Sequence, residues 1–153
     1  MRKHLIPHRR EDAAAVTEWL DLAAAVVEIT SEDPARPIER ALTGDDAEGW
    51  RASEPGVQVI RLIFDHPKDV HRICLSFSET AAERTQEFVL RWSSDGGALL
   101  EIVRQQWNFS PTGTTRENED YEVHLCGARV LELTITPNIS GGDYASLQRL
   151  RVA

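Results

Sequence analysis

Apolar and polar side chains alternate most regularly over residues 88–110, FVLRWSSDGGALLEIVRQQWNFS. Phe88, Leu90 and Trp92 fall on one face of the first flank. On the second, Val103, Gln105, Trp107 and Phe109 share one face, and Ile102, Arg104, Gln106 and Asn108 share the other. A period of two is the signature of a strand. Between the flanks stands Ser94-Asp95-Gly96-Gly97, and Asp-Gly supplies the positive φ that tight hairpin turns require. The pattern predicts an antiparallel hairpin with strands at 88–92 and 99–109, and it pairs Trp92 with an aromatic of the return strand.

The same reading extends along the chain. Residues 25–30 form a Val- and Ile-rich strand closed by Ser31-Glu32-Asp33-Pro34. Strands follow at 57–64 and 70–77, separated by a turn over Asp65-His66-Pro67-Lys68-Asp69. Two more lie at 121–125 and 130–136, divided at Gly127, and a short closing strand carries Leu147, Leu150 and Val152. Residues 31–55, 78–85, 110–119 and 137–144 read as loops. Trp50 stands within the first of them and is expected to plug the edge of the core. Residues 11–22 place Ala15, Val16, Trp19 and Leu22 at helical spacing, which predicts a short helix. About eight short antiparallel strands with a short N-terminal helix predict an all-β fold, a jelly-roll β-sandwich. Residues 1–24 are expected to be an extension and residues 25–153 the sandwich domain.

Composition narrows the function. The chain has 153 residues, 41% hydrophobic and 27% charged, with a net charge of −8. One domain of this size buries an adequate core without metal or disulfide. The negative charge argues against nucleic acid and anionic membrane surfaces as partners. No apolar run is long enough to span a bilayer. The first sixteen residues, MRKHLIPHRREDAAAV, lack the apolar segment of a secretory signal, so the expected location is cytoplasmic. Cys74 falls in a predicted strand and Cys126 directly after one, and both read as buried, reduced thiols. The Asn138-Ile139-Ser140 glycosylation pattern has no weight without secretion.

With the strands in order, several segments resemble the discoidin, or coagulation-factor type C, modules of the galactose-binding jelly-roll fold. Residues 41–50, ALTGDDAEGW, are similar in spacing to that family's first long loop. Ile63-Phe64-Asp65 with Pro67, Val70 and Ile73 resembles its strand, turn and strand. Ser94-Asp95-Gly96-Gly97 resembles its Asp-Gly hairpin, and residues 141–147, GGDYASL, its closing segment. The resemblance covers roughly residues 26–153. It implies binding of sugars, phospholipid heads or protein partners through loops at one end of the sandwich. Members with a structural calcium use an Asp where this chain has Thr43 and a Glu where it has Arg149. A hard cation needs six to eight oxygen ligands, so no metal and no cofactor are expected. Arg149 is expected to pair with Asp45, Asp46 or Glu48 instead.

Sugar sites combine a planar aromatic with hydrogen-bonding side chains able to fork onto adjacent hydroxyls. By the resemblance, the loop before the hairpin supplies Glu79, Glu83 and Arg84, and a late loop supplies Tyr144. Asn108 and Arg116 join from the loop after the return strand. The predicted ligand-binding set is therefore Glu79, Arg84, Asn108, Arg116 and Tyr144. The polar run Arg104 to Asn108 offers a second surface. No catalytic residues are expected: the five histidines are scattered, and His4 and His8 are separated by Pro7 without a third ligand. The function expected is a non-catalytic carbohydrate-binding module, with a cytosolic protein–protein interaction domain of the same fold as the alternative.

Overall fold

The structure is a computed structural model and describes residues 18–43 and 48–153. A 3₁₀ turn at Leu22–Ala24, capped by Asp21, precedes strand β1 (Val26–Ile29) and a single helical turn, α1 (Glu39–Leu42). There follow β2 (Trp50–Pro55), β3 (Gln58–Ser78), β4 (Arg84–Ser93), β5 (Leu100–Phe109), β6 (Arg116–Thr136), β7 (Tyr144–Leu147) and β8 (Arg149–Val152). Every strand pairing is antiparallel. The main sheet runs β1-β3-β6-β4-β5 with β8 also on β3, and β2 and β7 form a separate ribbon. The all-β jelly-roll expectation therefore holds.

Two predicted strand pairs turn out to be single strands. β3 runs through the turn expected at residues 65–69, and β6 runs through Gly127. The two pair along their whole length, with register shifts between Ile63 and Arg72. Pro67 cannot donate to a ladder, and the shifted register is where a strand tolerates it. Gly127 takes φ +64 and donates its N–H to Asp69 Oδ1 at 2.8 Å. These irregularities bend both strands, so each passes from one layer of the sandwich to the other. The first half of β3 and the second half of β6 pair with β1 and β4; the second half of β3 pairs with β8.

The layers meet over a continuous apolar core. Ile60, Leu62 and Phe64 alternate inward before the bend, and Ile73, Leu75 and Phe77 after it. Phe77 stacks on Phe88 of β4 at 5.3 Å between ring centroids, and Phe88 meets Tyr121 of β6 edge-on. Trp50 is fully buried, and its indole N–H donates to the Ser31 carbonyl. It opens β2, which lies inside the stretch read as a loop. The apolar alternation there stops after Ala52 and offers too short a pattern.

The hairpin forms as predicted, with Phe88 opposite Gln105 and Leu90 opposite Val103. A shift after Leu90 places Trp92 opposite Leu100, so the expected aromatic pair does not form. Trp107 is half-buried against the core, and Phe109 is buried. The outer face of β5 is laced to β4: Arg104 reaches Glu87 at 2.6 Å, Gln106 reaches Glu87 at 2.9 Å, and Thr85 donates to Asn108 at 2.6 Å. The cysteine expectation also needs correction. Cys74 is half-buried and Cys126 exposed. Cys74 lies between the inward-pointing Ile73 and Leu75, so alternation turns it outward. Cys126 sits at the bend beside Gly127. Most of the helix expected at residues 11–22 lies outside the described residues.

Gly49 packs against the junction of β7 and β8. A Cβ there would strike the Leu147 carbonyl and the Gln148 backbone, and φ is +65. Gly96 at the hairpin tip has φ +77 and open space around it. Gly49→Ala is expected to cost on the order of 3 kcal/mol or more in chemical denaturation, and Gly96→Ala only about 1 kcal/mol from its backbone conformation.

Candidate functional site

The β2–β7 ribbon builds one wall of a cleft at the loop end of the sandwich. Trp50 and Ala52 face the core with Ala145 and Leu147, so alternation turns Arg51, Tyr144 and Ser146 outward. Arg51 lies opposite Ser146, and Pro55 opposite Tyr144. The residue before Tyr144 fixes its position. Asp143 adopts φ +61; its carbonyl accepts the Gly56 N–H and its carboxylate accepts the Asn138 amide. Tyr144 is 43% exposed, and the Arg51 guanidinium lies 5.2 Å from its ring centroid, within cation–π range.

The β3–β4 loop builds the opposite wall. The Glu79 N–H donates to the Thr115 carbonyl, and the Glu79 carboxylate accepts the Ala81 N–H at 3.1 Å and Arg84 Nε at 2.8 Å. Burial raises the Glu79 carboxyl, but the Arg84 and Ala81 hydrogen bonds outweigh it and leave it below its ordinary range. The cleft encloses about 500 Å³. It is lined by residues 78–82, by Arg36 and Glu48, by Arg51, Ser146 and Gln148, and by Asp143 and Tyr144.

Of the five predicted ligand-binding residues, Glu79 and Tyr144 line this cleft together. Arg84 lies behind Glu79 with a side chain 1% exposed. Its Nη1 donates to Gln86 and to the Pro137 carbonyl, and the guanidinium lies 4.7 Å from the Phe109 ring centroid. The signal was present in the sequence: Arg84 and Gln86 continue the inward alternation of Phe88 and Leu90. Asn108 is on the outer face of β5, and Arg116 is exposed at the start of β6 opposite Ser78; neither lines the cleft. Sequence reasoning missed Arg36, Arg51 and Asp143. Alternation from the buried Trp50 points to Arg51 once residues 50–55 are known to be a strand.

The expected pairing of Arg149 with Asp45 or Asp46 involves residues outside those described. Glu48 pairs with Arg40 at 3.1 Å. Among the described residues no group of three or more His, Cys, Asp or Glu side chains is arranged to hold a metal ion.

Behind the cleft a buried polar chain continues inward. Gln86, held by Arg84, donates to Glu117 Oε1 at 3.2 Å. Glu117 is fully buried, and its other carboxyl oxygen has no hydrogen-bond partner. Burial, together with the neighbouring Glu119 carboxyl, pushes Glu117 up to about 8. Burial and the same two carboxyls push the Tyr121 phenol up as well. Glu117 therefore carries a proton at neutral pH, which a buried acid without a dedicated cation requires.

No family model and no curated protein matches the chain. Solved structures do. A family 32 carbohydrate-binding module from Clostridium perfringens, solved with GalNAc-β-1,3-galactose, is 18% identical, covers 88% of this chain and 99% of its own, and superposes with a TM-score of 0.66. The two share the jelly-roll β-sandwich fold. The NanJ family 32 module of the same organism, solved with galactose, shares this jelly roll at 15% identity and a TM-score of 0.64, over 88% of this chain and 96% of its own. The AlyQ family 32 module, solved with 4,5-unsaturated mannuronic acid, shares it at 20% identity and a TM-score of 0.66, over 90% and 98%. The discoidin-like resemblance drawn from the order of motifs agrees at the level of fold.

Removing the guanidinium in Arg84→Met leaves the partly buried Glu79 carboxylate without its cation and the buried Pro137 carbonyl without its donor. It is expected to cost about 3 kcal/mol in chemical denaturation, so loss of binding in such a variant reports folding as well as recognition. Glu117 sets a pH dependence of its own. Between about 4.5 and about 8 the unfolded chain releases a proton that the fold retains, so stability falls as pH rises through that window. Glu79 acts oppositely, losing its contribution as pH drops through and below the ordinary carboxylate range. Glu117→Gln is expected to flatten the melting temperature between pH 5 and pH 8, measured by calorimetry across that range, while leaving the acid limb in place.

Proposed function

We propose that this chain is a non-catalytic carbohydrate-binding module that holds its ligand in the cleft between Tyr144 and Glu79. The observation that carries this reading is an exposed ring fixed beside polar groups whose geometry is already set. Tyr144 supplies a flat apolar surface for the C–H face of a pyranose. Glu79, ionised and held by Arg84 and Ala81, accepts hydrogen bonds from sugar hydroxyls. Arg51, Ser146 and Gln148 offer further polar groups along the same wall. A site ordered before binding loses little conformational entropy on binding, which a small polar ligand needs.

The neighbours of like fold support the reading, since they were solved with galactose, GalNAc-β-1,3-galactose and an unsaturated mannuronic acid. A protein-interaction domain is less well supported. Among the described residues the large exposed apolar side chains, Val26, Val57, Leu100, Ile139 and Tyr144, are contributed by separate strands and loops rather than by one element.

A glycan array followed by titration calorimetry tests the proposal. Tyr144→Ala and Glu79→Gln are each expected to weaken sugar binding about tenfold, or about 1.4 kcal/mol, with Tyr144→Ala unchanged in melting temperature. Native affinity in both variants would move the site elsewhere, and a protein silent on every glycan would overturn the module itself.

A further inference from the structure

The cleft contains acidic and basic side chains, and they are not equally satisfied. Glu79 is engaged by Arg84, Glu48 by Arg40, and the Asp143 carboxylate by the Asn138 amide. The guanidiniums differ. Arg51 makes no side-chain hydrogen bond or ion pair among the described residues; its contact is the face of Tyr144. Arg36 donates one Nη to the Glu48 carbonyl, while its Nε is buried with no partner. Each carboxylate therefore has a partner inside the protein, whereas both lining arginines keep donors unspent.

That imbalance specifies the complement. A buried N–H without an acceptor costs free energy until something supplies one. Stacking on an aromatic occupies the face of a guanidinium and leaves its edge donors available, and that fork matches a carboxylate in two parallel hydrogen bonds. Neutral hydroxyls accept from such donors more weakly, because neither the charge nor the fork is matched.

We propose that the ligand is an acidic sugar, a uronate whose carboxylate is taken by Arg51 while its ring lies along Tyr144. This inference rests on the carbohydrate-binding reading above and adds the chemical class of the sugar. Glu79 does not oppose it, since the Arg84 guanidinium already balances that charge. Arg51 is then the specificity-determining residue, and the hydroxyls of the ring fall to Glu79 and the polar wall.

The test is calorimetry with trimers of galacturonate, glucuronate, mannuronate and guluronate, each beside its carboxyl-reduced neutral counterpart. At least one uronate is expected to bind about tenfold more tightly than its reduced form. That preference shrinks with added salt. Arg51→Gln abolishes it and Arg51→Lys retains part of it, read as the ratio of uronate to reduced-sugar affinity within each variant, and in both the melting temperature is unchanged because Arg51 is exposed. Equal or tighter binding of every reduced sugar, or a uronate preference that survives Arg51→Gln, overturns the acidic-sugar inference while leaving the carbohydrate-binding reading intact. Failure to bind any trimer or any glycan on the array overturns both.

Discussion

A guanidinium enclosed between two sheets must have its donors met, and Arg84 meets that demand by tying together parts of the chain that are far apart in sequence. It reaches Glu79 in the loop before its own strand, Gln86 two residues on, the Pro137 carbonyl at the end of β6, and the ring of Phe109 at the end of β5. Each partner stands at the loop end of the sandwich. The β3–β4 loop that forms one wall of the cleft is therefore tied to the rest of the fold by a single cation whose release to water is blocked by the core around it. Such an arrangement is weak as a source of net stability, because desolvating both charges is costly. Its effect is on geometry: Glu79 presents its carboxylate at one position and in one ionisation state.

The bend shared by β3 and β6 supplies the frame in which this happens. One pair of long strands contributes to both layers, so the relative placement of the layers is set by continuous backbone pairing rather than by side-chain packing alone. Pro67 and Gly127 mark the bend from opposite sides, the first unable to donate and the second left-handed. Past the bend, β8 adds to β3, with Arg149 opposite Ser76 directly after Gln148 of the cleft lining and Val152 opposite Ile73.

Strand content and the all-β class were legible because alternation over residues 58–64, 70–77 and 84–92 is nearly unbroken. What was illegible was local. Pro67 and Gly127 read as reversals, since punctuation residues mark a break in pattern without saying whether the chain turns back or bends. β2 was hidden because only Trp50 and Ala52 of its residues are buried, and with it went Arg51. Glu79 and Tyr144, chosen by their place in the order of loops, line one cleft. Arg84 was assigned to the surface because it is charged; its alternation with Gln86, Phe88 and Leu90 pointed inward, and the alternation was the better guide.

The polar run on β5 also acquires a physical reading. β5 ends the order of its sheet, and its outer side chains are clamped to Glu87, Glu101 and Thr85. A terminal strand carries backbone donors and acceptors that another polypeptide could adopt as a template. Here any incoming strand would meet a hydrated lattice of arginine, glutamate and amide groups that it would have to strip of water. The hairpin's least apolar segment thus acts as a guard against fibril-like stacking.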